Sequence, residues 1–581
     1  MILDVAIRTE NLLQQLSAQL VCHNSVYNCS LTQWRQAQSS HRSSENAASV
    51  TSPQVAISPG TVSNANRAAG SPDHVSNAII SPLHASTTES ILSWPHFAEF
   101  RNLIKESKFS VFHLENKRYP FMPQSPMSQP YCTKREVERV IRCFERGINF
   151  WYPTMTRSKT RELEAHIIHG NFQETTESCL ALLIMALGCA SALVQSVATK
   201  EIHDGNIEEF QNEQRILGTL FFDCAFKRIS LVQAEFTAEA VQCLFFAGYD
   251  SRYKICTNLL QSSSSNAQQR LYFSFLQRPL QAWSFISAAA TKCRLLLSYE
   301  VEEQNPAQAE CLRRVFWSCY ILESDFLAEL SALPQTGIAE IESSIPLPSE
   351  YCTQESQADQ EQSSLYFLAC ISMRRLLNRV HDLLYARDAG VGFDNQQFPS
   401  VVSELGYQLE EWKDLLPFKF QFVVNLEPTR STEGAFLRQR YLTCKSVIYR
   451  PYLTWALSNK AGLEQCSPIV YEGSRLCLEA CWMHAQNLRS LPHTIMVDTW
   501  ICSLSMASVI LITLAASRVP ALGHLISRDI LDIGPHVHDL LTRWMNIPGG
   551  DVSPSVLEST KLIANVSTLL KLSWHERGIG E

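Results

Sequence analysis

The stretch from residue 310 to 348, ECLRRVFWSCYILESDFLAELSALPQTGIAEIESSIPLP, limits what this chain can fold into more than any other. Leu312, Val315, Phe316, Cys319, Tyr320, Leu322, Phe326, Leu327 and Leu330 recur at three- and four-residue spacing. That period predicts one long helix with a broad buried face. Arg313, Arg314, Glu323 and Asp325 are expected to fall mostly off it. Pro334 ends the helix, because proline cannot continue the backbone ladder. An acidic segment follows and closes on Ile345-Pro346-Leu347-Pro348, an extended strap.

At 581 residues the chain exceeds the roughly 100 to 200 residues of one ordinary domain. Its 45% apolar content allows a large core. A net charge of −8 argues against a basic nucleic-acid-binding surface, so any DNA contact is local or belongs to a partner. The nineteen cysteines are odd in number and scattered through helical patterns, as at Cys179, Cys189, Cys243, Cys319 and Cys502. Buried thiols in a reducing, intracellular compartment are the expectation. Asp4, Arg8 and Glu10 interrupt the first apolar residues and spoil a signal-peptide core. Two apolar runs, Cys179 to Val194 and Ile501 to Ser517, fall short of the ~20 residues of a membrane span and contain Gly, Cys, Ser or Thr. They predict buried core helices, with no membrane partner.

Along the chain, residues 1–35 hold a short amphipathic segment, with Leu3, Ile7, Leu12, Leu13, Leu16 and Leu20 at helical spacing. It could pair with a second copy, giving a homodimer, but local docking is the simpler reading. Residues 36–90 are rich in Ser, Asn, Ala, Thr and Pro and poor in aromatics, which predicts a disordered linker. Its Ser-Pro pairs at 52, 58, 71 and 81 suit either phosphorylation or an ordinary flexible tether. Order is expected from Ile91. After Pro120, Pro123, Pro126 and Pro130, helices are predicted over 134–150, 157–168, 175–197, 207–231, 235–248, 363–387, 401–415, 433–458, 470–488 and 497–517. Strand alternation is rare. The fold class is therefore all-α, with a large helical domain over 91–520 and a helical tail over 521–581. Residues 250–275 interrupt the pattern as a loop insertion, which costs little to lengthen.

Three stretches carry a resemblance. Arg313 to Glu323 (RRVFWSCYILE), followed by Leu333-Pro334 and Ile345-Pro346-Leu347-Pro348, resembles the signature of the fungal-specific transcription factor domain, the region usually downstream of a Zn₂Cys₆ cluster. Arg278-Pro279-Leu280-Gln281-Ala282-Trp283 is similar to a helix opening in that family. Arg450-Pro451-Tyr452-Leu453 is similar to a motif closing a long helix there. Ala332-Leu333-Pro334 stands where the family often has Gly-Arg-Pro. The resemblance covers roughly 91–517. It implies a nuclear regulator of transcription whose helical domain takes a signal, such as a small-molecule effector in an internal cavity. Its partners would be a DNA-bound transcription factor or the transcription machinery, and pathway-specific control of a biosynthetic gene set, as in secondary metabolism, is one role. Arg313, Arg314, Phe316, Trp317, Glu323, Pro334, Pro346 and Pro348 are the matching positions, expected to be structural and not catalytic.

The zinc cluster itself is not expected here. It needs six thiolates including two Cys-x₂-Cys pairs, and the first 130 residues contain only Cys22 and Cys29. Direct sequence-specific DNA binding by the chain alone is accordingly not expected, and a truncated zinc-cluster factor or a degenerate gene product are the neighbouring readings. Cys477, Cys481 and His484 share a helical face, where three ligands and a water would suit catalytic zinc, but packing is the preferred reading. His166 and His169 lie near Glu162 and Glu164, and His536 and His538 near Asp539. Neither group has the His-Glu-x-x-His form. No nucleophile elbow or Walker loop occurs, Gly390-Val391-Gly392 lacks a third glycine, and no aspartate-rich Mg²⁺ motif suggests a terpene-cyclase-like enzyme. No enzyme, metal or cofactor is expected. The alternative is a non-transcriptional helical small-molecule-binding protein or enzyme. The basic residues from Lys105 to Arg118 are diluted by Glu106 and Glu115 and suggest a solvated helix or turn.

Overall fold

Thr133 opens the first long helix by reciprocal capping. Its Oγ1 accepts the Glu136 N–H at 3.4 Å, and the Glu136 carboxylate accepts the Thr133 N–H at 2.7 Å. Two donors that a helix start leaves bare are thereby satisfied. The computed structural model describes residues 84–94, 97, 109–118, 130–170, 172–198, 207–247, 277–299, 306–330, 333–349, 358–386, 392, 396–458, 467–491, 499–526, 528–547 and 552–576. The fold is all-α. Among the described residues no strand forms, and one isolated antiparallel bridge joins His84 to Ala386.

The helices, in chain order, begin with α1 (Thr88–Leu92), α2 (Val111–Glu115), α3 (Lys134–Phe144), α4 (Arg157–His169), α5 (Thr176–Ala198), α6 (Ile207–Phe226), α7 (Ile229–Ala234) and α8 (Ala238–Ala247). They continue with α9 (Pro279–Ser298), α10 (Pro306–Glu329), α11 (Ala358–Tyr385), α12 (Phe398–Asp414), α13 (Thr432–Ser458), α14 (Pro468–Ser490) and α15 (Thr499–Ser517). Short α16 (Pro520–Gly523) and α17 (Arg528–Leu531) lead to α18 (Ile533–Asn546) and α19 (Pro554–Glu576). The main pairings are α5 with α6, α9 with α10, α13 with α14, and α15 with α19. The amphipathic segment of residues 1–35, Cys22, Cys29, the four Ser-Pro pairs and the loop insertion all lie outside the described residues. The last residues of the expected linker do not: His84, Ser86, Thr87 and Thr88 are buried, and α1 packs on α15.

Several expectations are refined by local causes. The helix over 207–231 divides in two, because the Arg228 side chain turns back to donate to the carbonyls of Cys224 (2.7 Å), Gln173 (2.8 Å) and Phe172 (2.9 Å). The predicted helix over 134–150 finishes as a π-helical turn, Glu145–Asn149. Asn149 then fastens the next loop through a pair of 3.0 Å hydrogen bonds to Met155. The motif at Arg450 to Leu453 does not close its helix; Pro451 lies inside α13. The short helix at 111–115 is not a solvated one, since Glu115 is buried and receives the Ser555 N–H at 3.0 Å and the Ser555 hydroxyl at 2.6 Å.

The two apolar runs are core helices for a reason other than their length. Thr176–Ser196 and Thr499–Ser517 are each long and apolar enough to span a membrane, but 94% and 83% of those windows are buried within the protein. Close approach makes this burial dense. Gly188 on α5 is so near α3 that a Cβ there would lie 2.4 Å from the Val140 carbonyl oxygen. Around α10, Phe326 touches Trp283 of α9 and Trp500 of α15, with ring centroids 5.8 and 5.1 Å apart. Each such buried side chain contributes about 1.5–3 kcal/mol of transfer free energy.

The opening stretch forms helix α10, then a 3₁₀ helix over Ile338–Ser344, then the extended strap. One expectation is overturned: Arg314 and Glu323 are not off the buried face but inside it, 1% and 3% exposed. A long helix packed on several sides buries polar side chains wherever partners await them. Glu310 supplies the partner for Arg314, accepting its Nε at 2.7 Å, and also takes Arg313 at 2.6 Å.

Candidate functional site

The strap is clamped to α10 at both ends. Trp317 donates its indole N–H to the Pro346 carbonyl at 2.9 Å, and Glu310 accepts the Ser349 N–H at 3.0 Å and the Ser349 hydroxyl at 2.9 Å. Arg314 adds bonds to the Pro153 carbonyl (3.3 Å), Ser364 Oγ (3.3 Å) and the Ser349 carbonyl, joining loop, strap and α11. Glu323 receives the Thr336 N–H at 3.0 Å and the Thr336 hydroxyl. This holds the turn before Gly337, whose φ of +80° suits glycine. Burial raises the Glu323 carboxyl, and the two Thr336 bonds oppose that shift. Phe316 is fully buried, Pro348 is buried, and Pro334 and Pro346 are exposed. Arg314 and Trp317 thus hold the strap, and Glu323 holds the turn before it.

A cavity of about 360 Å³ lies on the other side of α10, within the size range of small-molecule sites. Its walls follow helical period. Helix α10 contributes Leu322, Asp325 and Glu329, α11 contributes Tyr366, Cys370, Arg374, Leu377 and His381, and α13 contributes Phe436, Arg440, Thr443, Val447 and Arg450. Trp151 and Tyr152 enter just after the π-helical turn, a feature frequent at functional sites. Helices α14 and α15 close the far side with Cys481, His484, Ser505 and Val509, and Ser86 supplies a patch from the N-terminal segment.

Polar groups converge in this wall. Arg374 donates to Asp325 Oδ1 at 2.9 Å and to the Ser324 carbonyl, while Arg440 reaches Asp325 Oδ2 only at 4.0 Å. Arg450 donates to the Ser86 carbonyl at 2.9 Å, and Thr88 donates to Glu329 at 3.4 Å. Burial lifts the Glu329 carboxyl to about 7 against the pull of Arg450, Thr88 and Arg374. His84 and His381 share Ser86 Oγ at 2.6 and 3.0 Å, and His84 Nε2 lies 2.8 Å from the Leu327 carbonyl. A carbonyl only accepts, so His84 donates from Nε2. Burial, with His84, Arg374 and Arg450 nearby, keeps His381 well below its usual range and therefore neutral.

Cys477, Cys481 and His484 do share a face of α14, but each ring nitrogen of His484 has a hydroxyl partner, Thr443 at 3.2 Å and Ser505 at 3.0 Å. Burial lowers His484 to about 4, and Cys477 donates to the Ser446 carbonyl at 3.4 Å. Among the described residues no group of three or more His, Cys, Asp or Glu side chains is placed to hold a metal ion. His166 meets Ser178 at 3.0 Å, and His169 and His536 turn back on the carbonyls of Ala165 and Asp532. Sequence reasoning did not single out Arg374 and Arg440, and it noted Arg450 only as part of a helix motif.

Residues 167–414 match the model of the fungal specific transcription factor domain, and the chain carries that domain. The match runs from the end of α4 through α12 and so includes α10, the strap and α11; Arg440 and Arg450 lie beyond it. The relatives are named as transcription factors. The chain is 24% identical over 353 residues to ecdB of Aspergillus rugulosus, covering 55% of this chain and 53% of that protein. It is 25% identical over 211 residues to an ABC-transporter-regulating transcription factor of Aspergillus oryzae, covering 34% of this chain and 24% of that one. The counterpart in Aspergillus fumigatus is 24% identical over a stretch of the same length. The chain thus spans about half the length of the first of these relatives and about a quarter of the others. No solved structure matches.

Proposed function

We propose that this chain is a nuclear transcription regulator whose helical domain takes a small-molecule effector in the central cavity and passes the signal to a DNA-bound partner or to the transcription machinery. The observation that carries the reading is the coincidence of the fungal specific transcription factor domain with a 360 Å³ cavity walled by α10 and α11. Relatives named as transcription factors support it. Pathway-specific control of a biosynthetic gene set, as in secondary metabolism, is the finer form of the proposal. Trp317 and Glu323 serve the scaffold, since Trp317 donates to the Pro346 carbonyl and Glu323 accepts the Thr336 N–H and hydroxyl. No enzymatic step is assigned to the chain.

The test is a deletion followed by transcript profiling. A defined set of genes changes expression when the protein is lost, and unchanged transcripts would end the proposal. A companion measurement places purified chain on genomic DNA fragments from those promoters. Binding only in the presence of a second, DNA-bound protein supports action through a partner, and tight sequence-specific binding by the chain alone refutes that part.

A further inference from the structure

The cavity wall is lopsided in charge. Three guanidinium groups, Arg374, Arg440 and Arg450, line it together with two carboxyls, Asp325 and Glu329. Burial lifts the Glu329 carboxyl to about 7, so it carries only part of a charge near neutral pH, and the histidines His381 and His484 are held neutral. Asp325 therefore serves as the main counter-charge for three arginines. It is committed chiefly to Arg374, at 2.9 Å, and meets Arg440 only at 4.0 Å.

Arg440 is the group with capacity left over. Among the described residues its one ion pair is that 4.0 Å contact, and Cys370, Tyr366 and Tyr152 are its other electrostatic neighbours. Its side chain keeps 29% of its surface and lies in the cavity wall. A guanidinium carries five N–H donors in a planar fork that matches a carboxylate in two parallel bonds. The Nε–H groups of Arg374 and Arg450 are buried without an acceptor, so donors are in surplus on this side.

Beside Arg440 the wall is aromatic, with Phe436 one turn before it on α13 and Tyr366 and Tyr152 among its electrostatic neighbours. Trp151 packs edge-on against Tyr366 and Phe436, with centroids 4.9 and 5.1 Å away, and Tyr152 packs against Phe245 at 5.9 Å. All five line the cavity. A flat apolar body fits there, and a free cation would meet an excess of like charge.

We propose that the cavity selects a small organic anion, an aromatic or otherwise apolar body bearing a single carboxylate, with the carboxylate seated on Arg440 and the body against the Trp151–Tyr366–Phe436 wall. This rests on the effector reading above and names the chemical class of the effector.

The experiment uses the full chain, calorimetric titration, and matched probes: benzoate, 2-naphthoate and indole-3-acetate, each beside its primary amide. The expected result is that at least one acid binds ten-fold or more tightly than its amide, and that Arg440→Gln removes the preference. Arg440→Lys retains part of the preference, since it keeps the charge without the fork. The acid-over-amide ratio in the unsubstituted protein decides the question even if Arg440→Gln fails to fold. Amides binding as well as acids would overturn the anion assignment and leave an effector cavity standing. No binding by any probe, acid or amide, would overturn both. A preference that survives in a folded Arg440→Gln protein would remove Arg440 from its role.

Discussion

Tyr385 at the end of α11 donates its hydroxyl to the Val447 carbonyl at 2.6 Å, the oxygen that Pro451, four residues further along α13, has no N–H to serve. A proline inside a helix deletes one i→i−4 bond and crowds that carbonyl. Here a side chain from a neighbouring helix takes its place, which lets α13 run on to Ser458 and carry Arg450 into the cavity wall. Tyr385→Phe orphans the carbonyl and lowers stability by about 1–3 kcal/mol. In a Pro451→Ala background the helix regains its own bond, and the same Tyr385→Phe change becomes nearly neutral. Denaturant midpoints of the four proteins measure this, and additive effects would refute the pairing.

Glu310 and Arg314 predict an asymmetry between adjacent arginines. Glu310→Gln leaves the guanidinium of Arg314, 1% exposed, without its nearest counter-charge. Stranding a buried charge costs about 3–5 kcal/mol. Arg313 keeps 16% of its side-chain surface, and Arg313→Gln should cost under about 1 kcal/mol, as for pairs nearer solvent. Comparable losses from both changes would argue against the clamp.

Glu329 makes stability depend on pH in a definite sense. Its carboxyl titrates at about 7 in the folded chain and near 4.5 when unfolded. Between those values the folded state holds the proton that the unfolded state has released, so its contribution is full below 4.5 and is lost as pH rises through 7. The groups facing it are Arg450, Arg374, Asp325 and Thr88. Glu329→Gln removes the ionisation. Its melting temperature relative to the parent should therefore climb between pH 4.5 and 7 and level off above. A difference independent of pH would show that Glu329 does not titrate there.

The contact of α3 with α5 depends on a missing methyl. Gly188→Ala places a Cβ 2.4 Å from a backbone oxygen that cannot swing aside. Overpacking of this kind costs about 1–3 kcal/mol. Gly392, with nothing within 4 Å, is the control: Gly392→Ala should stay within about 0.5 kcal/mol. Thermal melts of the two variants separate the outcomes, and equal shifts would contradict the close approach.

The all-α fold and most helix positions were legible in the sequence because apolar spacing is a local property. The helix over 157–168 is observed as Arg157–His169, and that over 433–458 as Thr432–Ser458. What the sequence hid was tertiary. Arg314 and Glu323 look like surface charges until Glu310 and Thr336 are brought beside them. The split at Arg228 depends on carbonyls more than 50 positions away. The cavity was least legible: Arg374 lies on α11 and Arg440 and Arg450 on α13, and only the packing of α10, α11 and α13 brings them to one wall.

The N-terminal segment has a consequence for control. Ser86 is cavity wall, its carbonyl holds Arg450, and its hydroxyl bridges two histidines, while Thr88 fixes the same segment to the Leu504 carbonyl and Ser508 on α15. Peeling residues 84–88 away would breach the cavity and strip Arg450 of its acceptor in one motion. If the proposed effector fills the cavity, its occupancy and the seating of this segment become reciprocal quantities: whatever factor ligand adds to one, seating adds to the other. Slower amide exchange over residues 84–92 on ligand addition is the expected sign, and unchanged exchange would uncouple them. A signal taken up among α10, α11 and α13 would thus reach the one strand of chain that leads back toward residue 1.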